Sequence, residues 1–201
     1  VIFGSDVRLK KARTVDIPVD RPLTFDEYTD LCKHAINSGI WNATKYNKNS
    51  WQIREKLLMK GYLDGSVSYI DTDGAEKQAD IISDTLKHLI ERDFLNDKDL
   101  AENFVYNSAM SGVSLLIIKQ KMSMKLFPSY LIDEAVNNFI EKYGDTDSDG
   151  LAKAAGKLLR SSSFRKLDEV KQKQKFMRVL VSKGFSYSDI QCWMDANLEE
   201  L

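Results

Sequence analysis

The sequence SWQIREKLLMKGY at residues 50–62 predicts one helix together with its end. Ser50 is a residue type that caps helices, and Gly61 stands where a left-handed residue ends the last turn. The same ending, a lysine and an aromatic residue with one residue between them, recurs as KLF at residues 125–127 and KGF at residues 183–185. The three lysines lie 65 and 58 residues apart. Such regular spacing predicts a tandem repeat.

Each ending closes a helix rich in apolar and basic residues, and the pattern continues outward from it. Ile132 and Ile190 both stand five positions after the aromatic residue and open the next helix. After the first ending, residues 63–74 instead predict a small hairpin-like insertion between Asp/Gly turns. Units this short bury little surface alone, so stacked copies predict an elongated, curved body. Chance recurrence is the alternative, because lysine and glycine are favoured at helix ends.

These patterns predict an all-α protein of three tandem three-helix repeats. Proline supports this, because Pro18 and Pro22 precede the body and only Pro128 interrupts it, while helix interiors exclude proline. The predicted boundaries are an irregular N-terminal arm at 1–22 and repeats at 23–95, 96–144 and 145–201. Capping residues, including a capping box of Thr24 and Glu27, and apolar spacing predict nine helices. Eight of them lie at about residues 24–38, 51–60, 97–109, 112–124, 129–143, 150–160, 166–183 and 187–200, and the third in chain order carries Ile82, Leu86, Leu89 and Ile90 on one face.

Length and composition allow one large or two small domains, with 201 residues, of which 43% are hydrophobic and 29% are charged. No apolar run approaches the ~18 residues of a membrane helix, and no secretory signal opens the chain, so we expect no membrane association. Cys32 and Cys192 form no CxxC pair, which favours a reduced, cytoplasmic protein. A single disulfide between them is the alternative.

The formal net charge of −1 conceals a strong asymmetry along the chain. Residues 151–183 hold ten basic residues against Asp168 and Glu169, a net +8, whereas the other 168 residues carry a net −9. A focused positive field attracts phosphate backbones or an acidic protein surface, although a merely solvated face is the alternative. The candidate binding residues for a partner or nucleic acid are Arg165, Lys166, Lys171, Lys173, Lys175, Arg178 and Lys183. Among them Lys171, Lys175 and Arg178, at i, i+4 and i+7, predict one stripe on a helix.

No motif predicts a catalytic residue, a metal site or a cofactor. Residues 145–150 resemble the start of a calcium loop, but position 12 of that loop is Gly156, which supplies no bidentate carboxylate. His34 and His88 have no partner at metal-ligand spacing. We therefore expect no enzyme. A helical enzyme is an alternative that a perturbed carboxylate or histidine in a cleft would indicate.

The repeat resembles the RecX family, bacterial modulators of the RecA recombinase. The resemblance rests on SWQIREKLLMKGY at residues 50–62, FLNDKDLAENF at 94–104 and KQKQKFMRVLVSKGFS at 171–186. It implies a regulator of homologous recombination and the SOS response. Such a regulator binds the RecA filament on single-stranded DNA and inhibits its ATPase, strand-exchange and coprotease activities. A helical module that binds DNA directly through the same basic residues is the second hypothesis.

Overall fold

The computed structural model describes residues 15–18, 20–144 and 147–197, with residues 147 and 148 described by their backbone alone. These residues contain ten helices and one antiparallel hairpin, which confirms the all-α class. The chain divides into two compact units, Val1–Asn96 and Asp97–Leu201. The helices are α1 (Phe25–Tyr46), α2 (Ser50–Met59), α3 (Ile81–Glu91), α4 (Asp97–Met110), α5 (Leu115–Met124), α6 (Ser129–Tyr143), α7 (Asp147–Arg160), α8 (Ser162–Arg165), α9 (Glu169–Ser182) and α10 (Tyr187–Asn197).

The first unit packs α1, α2 and α3 around a core, with the hairpin beside them. Strands β1 (Val67–Ile70) and β2 (Glu76–Ala79) confirm the predicted hairpin, which extends five residues beyond the predicted insertion. Leu23 pairs with β1, donating its N–H to the carbonyl of Ser68 at 2.8 Å. The buried apolar residues of this core are Ile17, Leu23, Ala35, Ala43, Ile53, Leu57, Tyr62, Val67, Ile81, Ile82, Leu89 and Leu95.

Helix α1 begins as predicted but ends later. The hydroxyl of Thr24 accepts from the N–H of Glu27, whose carboxylate accepts from the N–H of Thr24, so the predicted capping box is confirmed. The predicted end near Ser38 is wrong, because the helix continues through Gly39 to Tyr46. A Cβ on Gly39 would lie 2.6 Å from the Cδ1 of Leu89. This glycine therefore allows α1 and α3 to approach closely and does not end the helix.

The second unit contains α4 to α10. Its core combines Val105, Ile118, Met122 and Phe139 with a second cluster around α9. The sequence missed the one-turn helix α8, which places the ring of Phe164 in that cluster with 2% of it exposed. The predicted arm up to residue 14 and the predicted end of the last helix beyond residue 197 lie outside the described residues.

The recurring helix end has the same hydrogen bonds in all three repeats. At the ends of α2, α5 and α9, an aromatic N–H donates to the carbonyl five residues earlier, over 3.2, 3.1 and 3.3 Å, at Tyr62, Phe127 and Phe185. The residue before each aromatic has a positive φ, of 95°, 62° and 93°, at Gly61, Leu126 and Gly184. These are Schellman-type ends, which bury the aromatic ring against its own helix. The shared helix ends agree with the predicted repeat, and the last third of the chain holds one helix more than predicted, the short α8.

Candidate partner-binding surface on α9

Helix α9 is held in place by its N-cap and by its buried face. The carboxylate of Asp168 accepts from the N–H of Lys171 at 2.9 Å and caps the helix. Phe176 and Leu180 are fully buried, and the ring of Phe176 stacks on that of Trp193, with centroids 5.7 Å apart. Because these contacts fix the inward face, the charged residues of α9 have a defined outward direction.

The structure places three of the predicted residues together on that outward face. Lys171, Lys175 and Arg178, called the basic stripe below, follow one another at i, i+4 and i+7, with Lys171 and Arg178 exposed and Lys175 half-buried. Among the described residues, no carboxylate forms an ion pair with Lys175 or Arg178. The stripe therefore presents positive charge to solvent along about two turns of helix.

Two local ion pairs reduce this charge only slightly. Lys171 contacts the carboxylate of Asp168 at 2.8 Å, and Lys173 contacts that of Glu169 at 3.0 Å. The ammonium of Lys171 holds the pKa of Asp168 below its ordinary value. Exposed pairs of this kind contribute little free energy, so an anionic partner can displace them.

Lys183 points inward and does not lie on the basic stripe. Its ammonium donates to the carbonyls of Gly112 at 3.2 Å and Ser111 at 3.4 Å, and its own carbonyl accepts from the N–H of Ser114 at 3.0 Å. Burial lowers the pKa of this ammonium, and the positive charges of Lys157 and Lys121 lower it further. Lys183 thus joins the second and third repeats, which explains its place in the recurring helix end.

The remaining predicted residues lie before α9. Arg165 and Lys166 are exposed at the end of α8, and the Nε of Arg165 donates to the carbonyl of Leu159 at 3.1 Å. They add positive charge near the N-terminus of α9. The structure therefore groups six of the seven predicted residues on α8 and α9 and separates Lys183 from them.

Sequence reasoning missed a groove beside the basic stripe. The groove encloses about 690 Å³ between α9 and α10. Its apolar lining includes Met177, Val181, Tyr187 and Met194, and Lys173 and Arg178 also line it. The available signal was a second apolar row on α9, at Val170, Met177 and Val181, beside the fully buried Phe176 and Leu180.

Other predicted features have structural explanations. The Nδ1 of His34 forms a hydrogen bond of 2.7 Å with the hydroxyl of Tyr62. Cys32 and Cys192 are both free thiols. The ring of Trp41 lies under the ammonium of Lys45, and Trp41 is 52% exposed. Within the described ranges, no helix is long and apolar enough to cross a membrane, and no cluster of three acidic, histidine or cysteine residues could hold a metal ion.

Comparisons with known proteins agree on one family. The family model "RecX, third three-helix domain" matches residues 146–194, the part of the chain that contains α9. Regulatory protein RecX of Streptococcus sanguinis is 33% identical over 113 residues, which cover 55% of this chain and 41% of that protein. Regulatory protein RecX of Haemophilus ducreyi is 27% identical over 172 residues, which cover 83% of this chain and 93% of that protein. The chain spans less than half the length of several curated relatives that it matches.

Solved structures share the fold. The crystal structure of RecX from Lactobacillus salivarius superposes with a TM-score of 0.53 at 22% identity, covering 84% of this chain and 97% of that one. A second crystal structure, of regulatory protein RecX, gives a TM-score of 0.55 at 21% identity and covers 84% of this chain and 75% of that one. The matched third domain, the curated relatives and the recurring helix ends together support the resemblance to the RecX family of regulatory proteins that the sequence predicted.

Proposed function

We propose that this protein is a non-enzymatic regulator of homologous recombination and the SOS response in the bacterial cytoplasm. It binds the RecA filament on single-stranded DNA and inhibits the ATPase, strand-exchange and coprotease activities of RecA. The observation that carries the proposal is the basic stripe of Lys171, Lys175 and Arg178, which lies in the segment that matches the RecX domain model. Three repeats with boundaries at 23–95, 96–144 and 145–201 form the binding body.

The binding surface in this proposal is α9 with its flanking cations. Lys171, Lys175 and Arg178 make the first electrostatic contacts, and Lys173, Arg165 and Lys166 extend the positive field toward the N-terminus of α9. A focused positive field accelerates encounter with an anionic assembly. A filament repeats the same site along its length, so several weak contacts from one chain of repeats add through avidity.

Direct binding to DNA is the second candidate function, because phosphates also attract the basic stripe. The two functions differ in their dependence on RecA and on salt. Each neutralised phosphate releases counterions, so direct DNA binding weakens steeply as the salt concentration rises.

Co-sedimentation with preformed RecA filaments tests the proposal. We expect the protein to pellet with filaments assembled on single-stranded DNA and to stay in solution with the same DNA alone at physiological salt. Equal binding to DNA without RecA, with a steep negative salt dependence, would support the second function instead. Absence from both pellets would contradict both.

A further inference from the structure

The groove between α9 and α10 leaves apolar side chains open to solvent. Tyr187 is 67% exposed and Val181 is 49% exposed on facing walls of the groove, and Met177 and Met194 line it more deeply. A groove of about 690 Å³ is large enough for several side chains of a ligand. Apolar surface grouped in this way, with polar residues at its edge, is typical of an interaction site.

An apolar row on α9 continues beyond the groove, because Met177 and Val181 line the groove and Val170 lies further along the same face. Val170, Met177 and Val181 follow one another at i, i+7 and i+11, and Val170 is 65% exposed. At 1.5 Å per residue the row runs for about 16 Å, or three turns of a helix. The two methionines of the groove are unbranched and adjust to differently shaped aliphatic side chains.

The charge on the groove favours an anionic occupant. Helix α9 carries four cations against the single anion Glu169. Two of those cations, Lys173 and Arg178, line the groove itself. The opposing wall offers one carboxylate, that of Asp195, which accepts from the amide Nε2 of Gln191 at 2.8 Å. An acidic ligand therefore finds two cations on the α9 wall against one carboxylate on the α10 wall. The other carboxylate of α10, that of Asp189, is not among the lining residues and accepts from the hydroxyl of Ser186.

We propose that this groove binds an acidic amphipathic helix of a partner protein. Aliphatic side chains of that helix pack on Met177, Val181 and Met194, while its carboxylates pair with Lys173, Arg178 and the rest of the basic stripe. This is the helix-in-groove mode, in which apolar anchors recur at i, i+3 or i+4, and i+7. Single-stranded nucleic acid fits less well, because bases stack on aromatic rings and Tyr187 is the one aromatic side chain among the described residues that line the groove.

The inference rests on the proposed function, because it names the kind of partner segment that the regulator binds. Its direct test nevertheless needs no RecA. A fluorescein-labelled 18-residue helical peptide, with leucines at helical spacing and glutamates elsewhere, is titrated by fluorescence anisotropy with the full chain. The matched peptide has lysine in place of every glutamate, and labelled oligothymidine serves as the nucleic-acid probe.

We expect the acidic peptide to bind at least tenfold more tightly than the lysine peptide. Val181→Glu should weaken it at least tenfold, because the new carboxylate lies on the apolar α9 wall and repels the peptide. Tyr187→Ala, on the facing wall, should weaken it several-fold. The matched control Tyr130→Glu changes another exposed side chain, 65% accessible on α6, and should leave the affinity unchanged. Circular dichroism checks that each variant folds.

Three results would overturn the inference. The first is equal affinity for the acidic and lysine peptides. The second is unchanged peptide binding in folded Val181→Glu and Tyr187→Ala. The third is oligothymidine binding that these variants abolish, which would identify a nucleic-acid groove.

The filament pellet separates the inference from the proposed function. If Val181→Glu pellets with RecA filaments as the unchanged protein does and the acidic peptide does not bind, the groove proposal fails alone. If the peptide binds in a Val181-dependent way while the unchanged protein does not pellet with filaments, the proposed function fails and the groove proposal stands.

Discussion

Helices α2 and α9 hold equivalent places in the first and third repeats, and they share a framework. Each begins at a side-chain cap, from Asn49 in α2 and Asp168 in α9. Each ends in a lysine, a glycine of positive φ and a buried aromatic ring. The two lysines also have similar roles, because each ammonium donates a hydrogen bond away from its own helix. Lys60 donates to the hydroxyl of Ser38 at 2.7 Å, and Lys183 donates to backbone carbonyls.

The two helices differ on the side that faces solvent. In α2 the charges of Arg54, Glu55 and Lys56 nearly cancel, and Arg54 pairs with Asp64 at 2.5 Å. In α9 four cations oppose one anion, and an apolar groove lies beside them. The residues that recur between repeats therefore maintain the fold. The residues that differ between repeats form the binding surface that we propose for the third repeat.

Gly184→Ala should have the largest effect on stability. A Cβ at this position would lie 2.1 Å from the Oγ of Ser114 and 2.3 Å from the Cγ1 of Ile117, and φ is 93°. Left-handed strain and overpacking together should cost about 2–5 kcal/mol. Urea denaturation measures this loss. Gly74→Ala is the control, because φ is 79° there but no atom lies within 4 Å of the new Cβ, so about 1 kcal/mol is expected. Equal losses would show that the turn does not join the second and third repeats.

Gly61→Ala should cost less, about 1–3 kcal/mol, although its backbone strain is the same. The new Cβ would lie 2.4 Å from the carbonyl oxygen of Val15, and the N–H of Val15 donates to Lys60 at 2.6 Å. The contact is relieved if the backbone of residues 15–18 is displaced from α2, at the expense of the packing of Val15 and Ile17 on the first core. Limited proteolysis should therefore cut faster near residues 15–18 in the variant. If Gly61→Ala lost as much stability as Gly184→Ala and its proteolysis were unchanged, the expected difference between the two glycines would be contradicted.

Asp168→Ala should cost about 1 kcal/mol, since it removes the cap of α9. Asp168→Asn should keep most of the cap. Because the folded pKa of Asp168 is lowered, its contribution is present above the unfolded pKa of about 3.8 and is lost as the pH falls through the folded value. Stability measured by urea denaturation between pH 6 and pH 2 should therefore fall less steeply in Asp168→Asn. An identical pH dependence would contradict this assignment.

Arg21→Gln should have a local effect in the first unit, where charges pair with near neighbours. Arg21 contacts the carboxylate of Glu27 at 2.7 Å, and this contact together with the N–H of Thr24 holds the pKa of Glu27 at about 2. Carboxyl NMR titration should show this pKa rise toward the ordinary value of about 4.5 in the variant. The stabilisation of the folded state by the ionised carboxylate of Glu27 would then be lost at a higher pH during acid titration. An unchanged pKa would mean that the hydrogen bond from the N–H of Thr24, and not the contact with Arg21, lowers the pKa of Glu27.

The sequence predicted features that depend on neighbouring residues. The capping box at Thr24, the recurring ends after α2, α5 and α9, and the spacing of the basic stripe all follow from local rules. Gly39 was misleading, because its role depends on Leu89, which lies 50 positions away in the sequence. The helix α8 was missed because a single turn has too few residues to show a periodic pattern.

The candidate site was predictable in its charge and not in its shape. Counting charges located the third repeat, and helical spacing grouped Lys171, Lys175 and Arg178. The inward direction of Lys183 depends on the carbonyls of Ser111 and Gly112, which belong to another repeat. The groove depends on how α10 packs against α9, so Val181 and Tyr187 could not be joined from the sequence alone.

The most direct test of the account compares the outward faces of α9 and α2. Inhibition of the DNA-dependent ATPase of RecA is measured for Lys171→Glu/Lys175→Glu/Arg178→Glu and for the control Arg54→Glu/Lys56→Glu, with folding checked by circular dichroism. We predict at least about a tenfold higher concentration for half-inhibition in the α9 variant, since reversing contact charges turns attraction into repulsion, and less than about a twofold change in the control. Unchanged inhibition by a folded α9 variant would contradict the account.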